Sequence, residues 1–289
     1  MLWLIFASLT ALFASGKDLT SKQGLKNVDG YIISWAVLFF SLPVLLPLLF
    51  VIKIPELGRN FALALMIGGS LNVVGMSLYI QALSRSDLSI TVPFMTFTPL
   101  FLLVTSPIIV GEYPTPLDMV GILMIVVGSY SLNLKEKRNG YLAPFKGLLK
   151  QQSPKLMLTA AIIFSISSNV DKVGVQNSSP IFWAIAMHSF VSTGMGVIML
   201  CKSRSKLNQI PKNLLSLVPI GFFQAGVILC QMTALEMTFV SHVIAVKRMS
   251  ALISVILGCL IFKEPGIQER ATGAAIMVLG VVLISLSGH

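Results

Sequence analysis

Apolar residues dominate this chain in runs of about 20, the length that crosses a bilayer as a helix. Ten such runs can be drawn, at 1–23, 31–52, 61–83, 88–111, 116–134, 156–176, 180–200, 214–235, 239–262 and 268–287. The gaps between them are short. The longest, 135–155, opens with Lys-Glu-Lys-Arg and continues with scattered lysines. The pattern predicts an all-α polytopic membrane protein of ten transmembrane helices. A first five-helix unit would occupy 1–134, a basic linker 135–155 and a second five-helix unit 156–289. The first run resembles a signal-peptide core in hydropathy, but it lacks a basic n-region. It also has a partner later in the chain, so it is read as a membrane helix.

The two units repeat. Shifted by 152 residues, Gly69 meets Gly221, Ala82-Leu83 meets Ala234-Leu235, Glu112 meets Glu264, Gly121 meets Gly273 and Gly128 meets Gly280. Nearer the start the shift is 150, and Lys22 meets Lys172. Matches among Leu and Ala arise by chance in apolar stretches; matched Glu, Lys and Gly in one register do not. Each unit has an odd number of spans, so the halves face opposite ways in the membrane. That is the inverted-repeat plan of secondary transporters, which bind substrate near the midplane between the repeats.

Composition removes most other classes. The chain has 289 residues, 55% of them hydrophobic and 11% charged, against about 25% charged in a soluble domain. Mean hydropathy is +0.86. The net charge of +10 lies mostly in connections, where basic residues set orientation; no nucleic-acid partner is implied. Counting them favours both termini outside, with Lys53, Arg59 and Lys172 as the outside cations. Cys201, Cys230 and Cys259 have no disulfide or metal spacing. No HExxH-like pattern is present among three histidines, so neither an enzyme nor a cofactor is expected.

Lys247 and Arg248 sit side by side near the middle of the run 239–262. A centred cation costs about 2.5–3.5 kcal/mol even on lenient insertion scales. Two of them call for a polar cavity, partner groups or an anionic ligand. An ion pair with Asp18 or Asp171 is one reading; snorkelling of Lys247 to an interface is another. Anion recognition is the reading preferred here, because Arg offers a planar fork for carboxylate or phosphate and Lys a point charge.

The run Tyr79-Ile-Gln-Ala-Leu83, with Pro93, Thr98-Pro99 and Gly111-Glu112, resembles the EamA-type repeat of the drug/metabolite transporter superfamily. The second copy carries Ala234-Leu235, Val243 to Ser250 and Lys263-Glu264-Pro265. The resemblance covers nearly the whole chain and implies a ten-helix transporter of two inverted five-helix repeats. It says little about substrate, since members move amino acids, nucleotide sugars, drugs and phosphorylated metabolites. Members usually keep both termini in the cytosol, opposite to the charge count, so orientation stays open. The adjacent Lys247 and Arg248 are similar to the pair with which plastid-type phosphate translocators hold phosphate.

Other polar positions sort by helical face. Ser250 and Ser254 share a stripe with Lys247. Thr98 belongs to a heptad stripe with Thr91 and Thr105, beside Pro93 and Pro99, which are expected to bend the helix. Asn72 and Gln224 are repeat partners, and Gln231 lies on Gln224's face; these amides either bind substrate or join helices. His242 is a candidate contact and His188 a weaker one. Lys22, Lys172 and Asp18 are placed at the rim or gates of a cavity, with Asp18 the first candidate for proton coupling and Asp171 the second. Glu112 and Glu264 read as stabilisers of a tight turn before the next helix. Gly121, Gly128, Gly273 and Gly280 read as close-packing positions, offering a face for a second copy of the chain.

The sum is a secondary transporter for a small organic anion, a phosphorylated metabolite or a carboxylate, working by alternating access and obligatory exchange in the plasma (inner) membrane. An exporter of amino acids or amphipathic drugs is the alternative. The expected partners are that solute and the lipid bilayer.

Overall fold

The computed structural model describes residues 2–85, 92–133, 152–254 and 267–287, and every regular element among them is helical. The basic linker and Thr91, Cys259, Lys263 and Glu264 lie largely or wholly outside the described residues. In chain order the principal helices are α1 (Leu2–Gly24), α2 (Gly30–Phe39), α3 (Phe61–Arg85), α4 (Thr98–Ile109) and α5 (Pro116–Asn133). They continue with α6 (Gln152–Gln176), α7 (Pro180–Ser203), α8 (Leu214–Met237), α9 (Val240–Lys247) and α10 (Ile267–Leu286). Among the described residues six stretches are long and apolar enough to cross a membrane: Leu2–Gly24, Gly30–Phe50, Phe61–Leu83, Gln152–Gln176, Pro180–Lys206 and Leu214–Met237. Phe94–Ile109, Pro116–Ser131 and Thr272–Leu286 are apolar but shorter.

Proline explains where helices break. The run 31–52 does not continue as one helix. It stops after Phe39 and resumes as the short turns Leu42–Leu45 and Leu46–Phe50, each with a proline at its start. A proline there lacks only an N–H that the first turn leaves unbonded. The run 88–111 behaves alike: a 3₁₀ turn, Val92–Phe97, precedes α4, and Pro99 sits in the first turn of α4. The expected bend at Pro99 is therefore a helix start. Side chains close other ends. Asp29 accepts from the Tyr31 N–H and Ser179 from the Phe182 N–H, as N-cap residues do.

The duplication is visible in the packing. α1 packs chiefly on α8, and α3 on α6; α4 meets α6, and α9 meets α1; α2 lies on α7, and α5 on α10. Exchanging the halves turns this set of contacts into itself. The seam between α5 and α10 shows why its glycines are needed. A Cβ on Gly121 would lie 2.7 Å from the Gly280 carbonyl oxygen, and one on Gly128 2.5 Å from that of Gly273. The close-packing positions thus serve an internal seam, and these glycines face each other rather than a second copy.

Two ends can be told apart. At one, the Trp3 ring lies 5.7 Å from the His242 ring, so α1 begins beside α9. The α6–α7 turn is there too, with Asn177 bonded to the Gly58 and Asn60 N–H groups of the α2–α3 connection. At the other end Asp29 accepts from Ser203 and Lys206, both at 2.7 Å, joining the α1–α2 turn to the α7–α8 connection.

Candidate substrate site

The fourth helix of each repeat is interrupted at equivalent positions. α9 ends at Lys247, and residues 249–254 are helical again. At the junction the Arg248 N–H bonds Ala245 O and the Ala251 N–H bonds Arg248 O, three residues apart rather than four. The first-repeat partners of the charged pair, Met95 and Thr96, lie inside the 3₁₀ turn before α4. A tightened turn within a helix often marks a functional hinge or a sequence under strain, and transporters build sites at such breaks.

Around this break the helices bring polar groups together. The Lys247 ammonium donates to Gln231 Oε1 on α8 at 2.7 Å. Lys17 and Asp18 on α1, Asp171 on α6 and Arg248 are near enough to act on its charge. Arg248 is similarly near Asp18 and Tyr79 on α3. Asp171 accepts from the Trp183 indole N–H at 3.0 Å. His188 on α7 lies 3.1 Å from Gln224 of α8 and within reach of the Lys247 charge. Lys247, Arg248 and Ser250 are half-buried. The Arg248 Nε has no hydrogen-bond partner among the described residues although it is shielded from solvent. Among the described residues three basic and two acidic side chains meet here, a formal excess of one positive charge.

The other sequence candidates make contacts of their own. Asn72 donates to Ser167 Oγ at 2.6 Å and to Gly68 O, fastening α3 to α6. Thr98 is buried and donates to Met95 O at 2.8 Å, and Thr105 accepts from Asn169. Lys22 is exposed at the end of α1, and Asp18 pairs with Lys17 at 3.2 Å, half of its side chain exposed. His242 is fully buried, 3.1 Å from Asp118 Oδ1 and 3.3 Å from Thr238 Oγ1, under the rings of Trp3 and Phe239. Lys172 is buried as well. It bonds Glu112 Oε1 and, at 2.6 Å, Thr238 O.

Glu112 departs from the sequence reading. Its second oxygen accepts from the Val240 N–H at 2.7 Å, at the start of α9 rather than of α5. The start of α5 is served by Asp118, which accepts from both the N–H and the hydroxyl of Thr115 at 2.8 Å. Gly111, at φ +70°, makes the turn that delivers Glu112. Lys17 and Tyr79 belong to the site without having been singled out. Both adjoin candidates, Lys17 beside Asp18 and Tyr79 at the head of the repeat motif.

A family model for EamA-like transporters matches residues 1–134 and again 154–286. The chain belongs to the EamA-like transporter family. It is therefore an integral, multi-pass membrane transporter of the drug/metabolite superfamily, built from two copies of the family's repeat. No curated protein sequence matches it. A solved crystal structure of another protein shares the fold, with a TM-score of 0.78 over 98% of this chain and 97% of its own at 15% identity.

Proposed function

We propose that this EamA-like transporter carries a small organic anion, a phosphorylated metabolite or a carboxylate, by alternating access, with Lys247 and Arg248 holding the anionic group. The observation that supports this is the half-buried pair at the break in α9, with an Arg248 nitrogen left unbonded. A polar nitrogen shielded from water and unpaired is costly, and a bound anion removes that cost. Gln224, Gln231 and Ser250 stand nearby to take hydroxyls of the same ligand. The resemblance of the pair to that of plastid-type phosphate translocators agrees with this choice. Excess positive charge in the empty site makes the unloaded carrier slow to reorient, which favours exchange over uniport. We infer the plasma (inner) membrane as its location.

The test is a ligand panel on the purified protein: phosphate esters, dicarboxylates, amino acids and organic cations, read by thermal shift and then by exchange in liposomes. Anions are expected to stabilise the wild type, and Lys247→Gln and Arg248→Gln each to abolish the effect. Absence of any anion effect would sink the proposal. Efflux that is equally fast without a counter-substrate would sink exchange alone. A second reading, export of amino acids, draws on Asp18 and Asp171, which face the same cations and could hold an ammonium group. Stabilisation by zwitterions but not by phosphate esters, lost in Asp171→Asn, would favour it.

A further inference from the structure

We propose that the Glu112–Lys172 pair is the gate at the mouth where α1 begins, and that α9 is the lever connecting this gate to the Lys247–Arg248 pair. The proposal rests on the alternating-access reading above. Lys172 comes from α6 of the second repeat, and Glu112 from the α4–α5 turn of the first. Their remaining bonds go to the backbone at the α8–α9 junction, Lys172 to Thr238 O and Glu112 from the Val240 N–H. One buried pair thus fastens three elements drawn from both halves. Alternating access requires the halves to part at this mouth, and they cannot do so while the pair is intact.

The network favours two states over a continuum. Moving the junction removes a backbone bond from each charge together, leaving each with only the other as partner in a buried place. α9 transmits that movement. Its eight residues span about 12 Å at 1.5 Å per residue. Val240 is at its first position and Lys247 at its last. His242 braces the same rod against Asp118 on α5. An anion that draws Lys247 and Arg248 into a new position moves the N-terminal end, and the two bonds there, with it.

The full chain, with Cys201, Cys230 and Cys259 replaced by Ser, carries the test. Ser241→Cys is the reporter: Ser241 is fully buried in the first turn of α9 and its hydroxyl has no bonded partner among the described residues. In nanodiscs a membrane-impermeant maleimide should label it slowly in the wild-type background. Glu112→Gln and Lys172→Met should each raise the rate at least tenfold. A folded Glu112→Gln variant labelled at the wild-type rate overturns the gate. Should Glu112→Gln fail to fold, Glu112→Asp decides, faster labelling supporting the gate and unchanged labelling overturning it. Inorganic phosphate tests the lever. It should change the labelling rate of the wild-type background at least threefold and leave Arg248→Gln unchanged. If phosphate raises the melting temperature but not the labelling rate, the lever is wrong. If phosphate does not stabilise the protein at all, the anion reading fails, and the Glu112 and Lys172 variants alone judge the gate.

Discussion

The two ends of α9 set the same kinds of residue in opposite situations. At the N-terminal end Glu112, Lys172, His242 and Asp118 are buried; Glu112 pairs with Lys172, and the His242 ring lies 3.1 Å from Asp118 Oδ1. At the C-terminal end Lys247 and Arg248 are half-buried, with a neutral amide as the bonded partner of one and an unbonded nitrogen on the other. An ionisable group in a membrane is expensive wherever it stands. Compensation from within the chain is what the proposed gate at the first end rests on. Incomplete compensation is what the proposed anion site at the second end rests on.

The largest expected effect is at the closed end. Lys172→Ala leaves Glu112 buried without its cation, and breaking a buried pair from one side costs about 3–5 kcal/mol. A much lower yield of folded, monodisperse protein and a strongly reduced melting temperature are expected. Replacing both residues by apolar ones of similar volume, Glu112→Leu with Lys172→Met, should restore most of that stability, since neither charge is then stranded. A double variant no more stable than the single one would show that the backbone bonds, not the charges, hold this end.

At the open end Lys247→Gln should do the reverse. It removes a desolvated cation, so the melting temperature should stay level or rise, while affinity for a stabilising anion falls about 10- to 100-fold. That range corresponds to about 1.5–3 kcal/mol for a charge-assisted bond. The two histidines separate the ends more finely. His242→Gln should lower stability by about 1–3 kcal/mol without changing anion affinity. His188→Gln should alter anion affinity by a few-fold with little effect on melting. If His242→Gln changed affinity more than His188→Gln, the division between the two ends of α9 would be lost.

The sequence carried the repeat, because Gly, Glu and Lys recur in register where Leu and Ala match by accident. It also singled out Lys247 and Arg248, because two charges within an apolar run are conspicuous. It could not show which charges were already answered. Glu112 and Lys172 are 60 residues apart, in different repeats, and nothing local links them. Glu112 sits just before α5, so a rule about helix starts assigns it to the nearer helix, and the fold assigns it to α9. Thr98 is taken up for a local reason: a hydroxyl in a membrane helix satisfies itself on a carbonyl of the preceding turn, here Met95 O. The break in α9 left no mark at all, since no proline or glycine accompanies Lys247 and Arg248.

A third ion pair calibrates the other two. Asp29, in the connection between the first two spans, meets Lys206, at the end of the span that begins at Pro180, at 2.7 Å, with half of the Lys206 side chain exposed. Burial would raise the Asp29 pKa, but the bonds from Lys206, Ser203 and the Tyr31 N–H together outweigh it and hold the carboxyl below its ordinary range. A carboxyl with a lowered folded-state pKa adds stability that is fully present above the unfolded value, about 3.9. That stability is lost as pH falls through the folded value. Asp29→Asn should therefore be slightly less stable than the wild type at pH 7, and the two melting temperatures should converge in acid, below about pH 4. Exposed pairs contribute about 0–1 kcal/mol and weaken with salt, so the gap at neutral pH should shrink on raising ionic strength. The deficit of Lys172→Ala should not, because ions in solution screen a buried pair far less. Equal salt dependence of the two deficits would mean that the Glu112–Lys172 pair is open to water, and the contrast between the ends of α9 would then reduce to a difference in partners alone.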